Sequence, residues 1–207
     1  TAYLDLLHSL QSKSPKNGSF PLWRAQCYAQ RRRFAAAQRA CGEVLQVTGS
    51  RGRWRDEAPR TLAVILASRM SLELGDVEAA SKKLSVALRA DPSAEAIKRA
   101  FNQLKKIRKH IKSAAKDLDK TYNKRALEAL HEALKLTTAY DLKTGALRGK
   151  LMMNICIATA RVRRHEQALI DCNEAIELSK VELDGLFKDT HQVASAYLAR
   201  GGALLAD

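Results

Sequence analysis

Apolar and small residues recur along this chain at spacings of three and four, the pattern of helices that bury one face and leave the other in water. It is clearest over residues 165–180, HEQALIDCNEAIELSK, where Ala168, Leu169, Cys172, Ala175 and Ile176 share one stripe. The same shape recurs three times upstream. Phe34-Ala35-Ala36-Ala37 leads to Cys41 and Val44-Leu45, Gly75 to Ala80 leads to Leu84 and Ala87-Leu88, and Asn123 to Ala126 leads to Leu130 and Ala133-Leu134. Each copy sets an alanine where two helices would cross, a bulkier residue four positions on, and a small or apolar one seven positions on. Four copies of one spacing predict an all-α solenoid, a right-handed superhelix of helix-turn-helix repeats.

The elements follow from this register. Residues 1–11 predict a capping helix, Phe20–Arg32 and the stretch to Val47 a helical pair, and Thr61–Leu74 and the stretch to Ala90 a second. From Ser93 no breaker appears until about Thr121, which predicts one long helix with eight Lys/Arg between Lys98 and Lys116. Asn123–Leu136, Gly145–Val162, the stretch to about Val181 and a final helix over Ala194–Leu205 complete the chain, with a loop near Asp184-Gly185. The expected organisation is an N-terminal set of repeats over 1–92, a basic connecting helix over 93–121 and a C-terminal set over 122–207. The crossing alanines Ala37, Ala80, Ala126 and Ala168 stand 43, 46 and 42 residues apart. Stretched loops over Thr48–Arg53 and Thr137–Gly149 are expected to hold the surplus over a shorter repeat.

Composition narrows this further. Hydrophobic residues make up 46% of 207 positions and aromatics only 5%, which suits helices packed through alanine and leucine better than a β-sandwich. No run of 18 apolar residues offers a membrane span. The start, TAYLDLLHSLQ, lacks a basic region before its apolar residues and reads as an internal start rather than a signal peptide. The end falls inside a helix, so a piece of a longer protein is expected. Cys27, Cys41, Cys156 and Cys172 all sit at apolar helical positions without a Cys-x-x-Cys pair. They read as free, buried thiols of a reducing, cytoplasmic protein. The sequon Asn17-Gly18-Ser19 is by itself weak evidence for secretion.

The net charge is +14, which draws acidic partners, nucleic acid or acidic peptide tails, or else solubilises the solenoid. The Arg31-Arg32-Arg33 triplet reads as a solvated helix end. Trp54 within Arg51–Arg60 reads as the anchor of a long loop rather than a base-stacking platform. His8, His110, His131, His165 and His191 are scattered without metal-ligand or triad spacing, and no glycine-rich phosphate loop exists. No enzyme, cofactor or metal is expected.

These residues resemble a family. Arg24-Ala25-Gln26-Cys27-Tyr28 before Phe34-Ala35-Ala36-Ala37, and Leu88-Arg89-Ala90-Asp91-Pro92, resemble tetratricopeptide repeats (TPRs), whose usual period is about 34 residues. The Ala87–Pro92 string, the lysine-rich helix after it, Lys150-Leu151-Met152-Met153-Asn154, Ala168–Ile176 and Ala196–Arg200 resemble the TPR region of J-domain co-chaperones of the DnaJ subfamily C type. The resemblance implies a protein-protein interaction scaffold whose partners are heat-shock chaperone C-terminal tails or unfolded client segments. The J-domain of such proteins bears a His-Pro-Asp tripeptide, which is absent here, so any ATPase stimulation is expected outside this chain. TPR grooves hold acidic tails through a carboxylate clamp of lysines, arginine and asparagines. That pattern is incomplete here. Ile111, Ala115, Ser195 and Ala199 fall on clamp positions in the last repeats, and Leu22, Gln26 and Leu66 in the first. The matching residues, Arg108, Lys112, Asn154 and Arg161, together with Lys150 in the same groove, are the candidate peptide-binding residues. The alternative is a nucleic-acid-binding helical repeat that uses the basic connecting helix, whose binding would fall steeply with salt.

Overall fold

The computed structural model describes residues 2–14, 17–47, 57–140, 142, 145–180 and 190–205. Ten α-helices and no strand occur among them: α1 (Ala2–Lys13), α2 (Ser19–Gln30), α3 (Phe34–Val47), α4 (Glu57–Glu73), α5 (Val77–Ala90), α6 (Glu95–Asp119), α7 (Asn123–Ala139), α8 (Ala146–Arg161), α9 (His165–Lys180) and α10 (Thr190–Leu204). Packing divides the chain into two compact units, Thr1–Asn102 and Gln103–Asp207, and the division falls inside α6.

One turn is used four times. Arg32, Gly75, Thr121 and Arg163 have φ of 57°, 79°, 59° and 61°, so each leaves its helix through the left-handed region. Each donates its N–H to the carbonyl three residues back: Ala29, Leu72, Leu118 and Ala160. The next residue donates to the carbonyl five back: Tyr28, Ser71, Asp117 and Thr159. These are Schellman closures, which satisfy carbonyls that a helix end otherwise leaves orphaned. The following helix starts at once, and Arg33, Asp76, Tyr122 and Arg164 accept the N–H of Ala37, Ala80, Ala126 and Ala168. Those are the four alanines placed at helix crossings by the sequence pattern, and all four have 0% exposure. A side chain larger than a methyl group there would hold the paired helices apart.

In the first unit α2, α3 and α4 close around Leu22, Ala25, Ala40, Cys41, Val44, Ala63 and Ala67. Arg24 is buried and its guanidinium donates to both carboxylate oxygens of Glu43, at 2.8 and 2.7 Å, and to Gln11. This ties α1, α2 and α3 through charge-assisted bonds. Ser71 plays a similar part between α3, α4 and α5, accepting from Gln38 and Lys83, each at 2.9 Å. In the second unit α7, α8 and α9 pack in succession, and α10 lies against both α8 and α9. The Arg31–Arg33 triplet is exposed at its turn, as read from the sequence. Trp54, the Thr48–Arg53 loop and the Asp184-Gly185 loop lie outside the described residues.

Two expectations are corrected. The stretch Thr137–Gly149 is not one long loop: α7 continues to Ala139 and α8 begins at Ala146. Thr137 is fully buried within α7 and bonds back to the Leu134 carbonyl. The surplus of the later repeats therefore sits in lengthened helices, above all the 25-residue α6. The cysteines are not all free thiols. Cys156 and Cys172 form a disulfide between α8 and α9, with Cα atoms 4.7 Å apart, while Cys27 and Cys41 are free. The two bonded cysteines lie seven residues before and nine after the left-handed Arg163, so the hairpin folds them face to face. Nothing in either cysteine's immediate surroundings in sequence shows this.

The same spacing from the other three left-handed residues falls on Ala25 and Cys41, Ser68 and Leu84, and Ala114 and Leu130, every member at most 1% exposed. Burial pushes the Cys41 thiol up to about 12, so in the wild-type protein it is unreactive. Ala25→Cys is predicted to form a second disulfide with Cys41 on oxidation. Intact mass will fall by two hydrogens and unfolding free energy will rise by roughly 2–4 kcal/mol. Cys27 is free as well, so one titratable thiol is expected after oxidation and denaturation, and three would rule out a shared register. Thr121, a β-branched residue in the left-handed region, strains its turn. Thr121→Gly is therefore expected to raise stability by roughly 0.5–1 kcal/mol in urea denaturation, and a loss instead would show that the turn carries no such strain.

Candidate peptide-binding site

Helix α8 is enclosed on most sides. Leu147, Leu151, Met152, Met153, Ile155, Cys156, Ala158 and Thr159 are buried, because α7, α9 and α10 all lie against the helix. Among the residues left accessible, a stripe runs at spacings of four, three and four: half-buried Lys150, Asn154 and Ile157, and exposed Arg161; Arg148 and Ala160 are half-buried as well. Eleven helical rises separate Lys150 from Arg161, about 16 Å, the reach of four to five residues of extended peptide. An ammonium, a carboxamide able to donate and accept, an aliphatic contact and a guanidinium fork thus stand in a row. Such a row can bind the backbone and carboxylates of an extended acidic segment.

Polar bonds fix the helix that carries this stripe. The buried Thr159 hydroxyl donates to Asp171 Oδ2 at 2.9 Å, and Gln167 Nε2 donates to Asp171 Oδ1 at 2.9 Å. Arg148, on another side of α8, reaches Glu174 at 2.9 Å and Thr138 at 3.5 Å. Its charge is compensated, so it does not add to the stripe. The Cys156–Cys172 bridge locks the middle of the same hairpin.

Of the five candidates, Lys150, Asn154 and Arg161 are brought into one line. Arg108 and Lys112 lie one turn apart on α6, in the same unit, the first half-buried and the second exposed. Each of these two already has an interaction partner within the chain. Ile157 is the member of the stripe that charge-based reading passed over, although its spacing from Asn154 and Arg161 carried the signal. At the clamp positions lacking donors, Ile111, Ser195 and Ala199 are half-buried and Ala115 is exposed. Among the described residues no group of His, Cys, Asp or Glu is arranged to hold a metal ion, and no helix is long and apolar enough to cross a membrane.

The split between support and stripe is testable in one denaturation series. Thr159→Val removes a buried donor from Asp171 and is expected to cost roughly 1–3 kcal/mol, whereas Asn154→Ala should stay within about 0.5 kcal/mol of wild type. Equal losses would place Asn154 in the structural framework instead.

No family model matches the chain. A DnaJ protein, a P58IPK homologue of Arabidopsis thaliana, is 30% identical over 136 residues, which cover 66% of this chain and 27% of that protein. The chain thus spans about a quarter of this relative's length. Among solved structures, the crystal structure of the P58(IPK) TPR domain matches with a TM-score of 0.65 at 15% identity, over 97% of this chain and 54% of that one. The four Schellman-closed hairpins with buried crossing alanines, described above, are the local form of that fold. In fold this chain is a tetratricopeptide-repeat solenoid, and in sequence it is similar to a P58IPK-type DnaJ protein.

Proposed function

We propose that the chain is the protein-binding scaffold of a co-chaperone, and that the α8 stripe holds an acidic, extended segment such as a chaperone C-terminal tail or a client stretch. The observation that carries this reading is the stripe itself: Lys150, Asn154, Ile157 and Arg161 line up on the accessible side of a helix against which α7, α9 and α10 pack. Binding of this kind needs no catalytic group. The likeness to a DnaJ protein supports a chaperone-linked role. Arg108 and Lys112 are assigned a supporting part, adding positive potential along α6 rather than primary contacts.

The Cys156–Cys172 bridge bears on the compartment. Disulfides persist in oxidising surroundings and are rare in the cytosol. We therefore place the folded protein in an oxidising compartment rather than in the cytoplasm that free thiols would suggest. Nucleic acid remains the second reading, because α6 exposes Lys105, Lys106, Lys109, Lys112 and Lys116.

A labelled peptide ending in EEVD, titrated at two salt concentrations, tests the first reading against the second. Micromolar binding is expected, with at least a fivefold loss in Asn154→Ala and a larger loss in Lys150→Ala. Peptide binding that ignores both substitutions, or duplex RNA binding that collapses as salt rises from 50 to 200 mM with no peptide binding, would overturn the proposal.

A further inference from the structure

The first unit contains an open cavity of about 400 Å³ between α3, α4, α5 and the first turn of α6. That volume lies within the range of small-molecule sites, roughly 300–1,000 Å³. Its walls are aliphatic: Leu45, Val64, Val86 and Ile97 line it, with alanines of α4 and α5 between them. Cations stand among these walls. Arg60, Lys82 and Lys83 all line the cavity, against one acidic residue, Asp91. Lys83 is half-buried and donates to the neutral hydroxyl of Ser71 at 2.9 Å. Asp91 is occupied with its own turn, accepting from the Ser93 hydroxyl at 2.6 Å and the Ser93 N–H at 2.9 Å. These two bonds hold its carboxyl below the usual range, and Ser93 is therefore the group that uses its charge.

Gly42 gives the cavity a second, independent mark. It lies in the interior of α3, where glycine costs about 1 kcal/mol relative to alanine. It also lines the cavity, and a Cβ added there would meet nothing within 4 Å. Neither the turn geometry nor the packing of the protein itself requires a glycine at this place. The missing side chain leaves room in the cavity.

We propose that this cavity is a binding site for a small amphipathic carboxylate, with an aliphatic body along Leu45, Val64, Val86 and Ile97 and its anionic head at Lys82 and Lys83. An aliphatic chain matches the walls, since apolar area is what they offer, and a carboxylate matches the two lysines. The residues are separate from the α8 stripe, so failure of either site leaves the other standing.

Isothermal titration of the full chain with dodecanoate and with dodecanol tests the site. Saturable, one-to-one dodecanoate binding in the micromolar range is expected, at least fivefold tighter than dodecanol. Gly42→Leu fills the cavity and should weaken binding at least tenfold, while thermal unfolding occurs at or above the wild-type temperature because leucine favours helix. Val86→Glu, at an exposed wall position, should weaken dodecanoate at least tenfold through like-charge repulsion and dodecanol far less. Lys82→Gln with Lys83→Gln should erase the preference for the acid. Absence of dodecanoate binding below 1 mM, binding unchanged in folded Gly42→Leu or Val86→Glu, or an apolar peptide that binds there while dodecanoate does not, would each overturn the proposal.

Discussion

The close approach of paired helices through a single methyl group governs this structure. At Ala37, Ala80, Ala126 and Ala168 the backbone of a helix that has just begun is fully buried, and its N–H is bonded to the residue before the helix. Five residues earlier in each case stands a left-handed residue that closes the previous helix. Turn and crossing are therefore one device with a fixed spacing. Once the chain reverses in this way, the residues seven before and nine after the turn are buried in all four hairpins, and in the last of them they are bonded to each other. Alanine with cysteine, serine with leucine, alanine with leucine and cysteine with cysteine all occupy that position.

Variation between the hairpins is what gives each unit its chemistry. In the hairpin of α8 and α9 the interior pair is a disulfide, and the Thr159–Asp171–Gln167 bonds add polar specificity. A buried carboxylate is stable there only because both oxygens accept hydrogen bonds. The helix so held presents Lys150, Asn154, Ile157 and Arg161 on its accessible side. The hairpins of the first unit have no such bridge, and the tie between helices comes instead from Arg24 with Glu43 and from Ser71 with Gln38 and Lys83. The cation at Lys83 is thereby held beside an aliphatic cavity rather than beside a carboxylate.

The charge of +14 also takes a different meaning on the two kinds of surface. On α6 the exposed lysines form a general field that attracts anions of many kinds. On α8 the positive groups are few and spaced along a line, which is the condition for geometric selection of a partner rather than mere attraction.

The repeat, the helical class and the four crossing alanines were legible in the sequence because they follow from local periodicity: a methyl group every 42 to 46 residues, followed four and seven positions later by apolar side chains. The long α6 was legible as a stretch without a helix breaker. The row Lys150, Asn154 and Arg161 was legible as spacing. That the row is the accessible side of α8 depended on α7, α9 and α10 covering the rest. The Cys156–Cys172 bridge was not legible, since each cysteine alone reads as a small buried hydrophobe and only the antiparallel hairpin brings them within bonding distance. The cavity beside Gly42 was equally hidden, because empty space belongs to no residue and exists only where α3, α4, α5 and the start of α6 fail to close on one another. Sequence by itself determined which faces are buried and where the chain turns, both properties of short stretches. Tertiary structure alone decided which buried groups meet and which accessible ones line up, because those depend on contacts between helices that are distant along the chain.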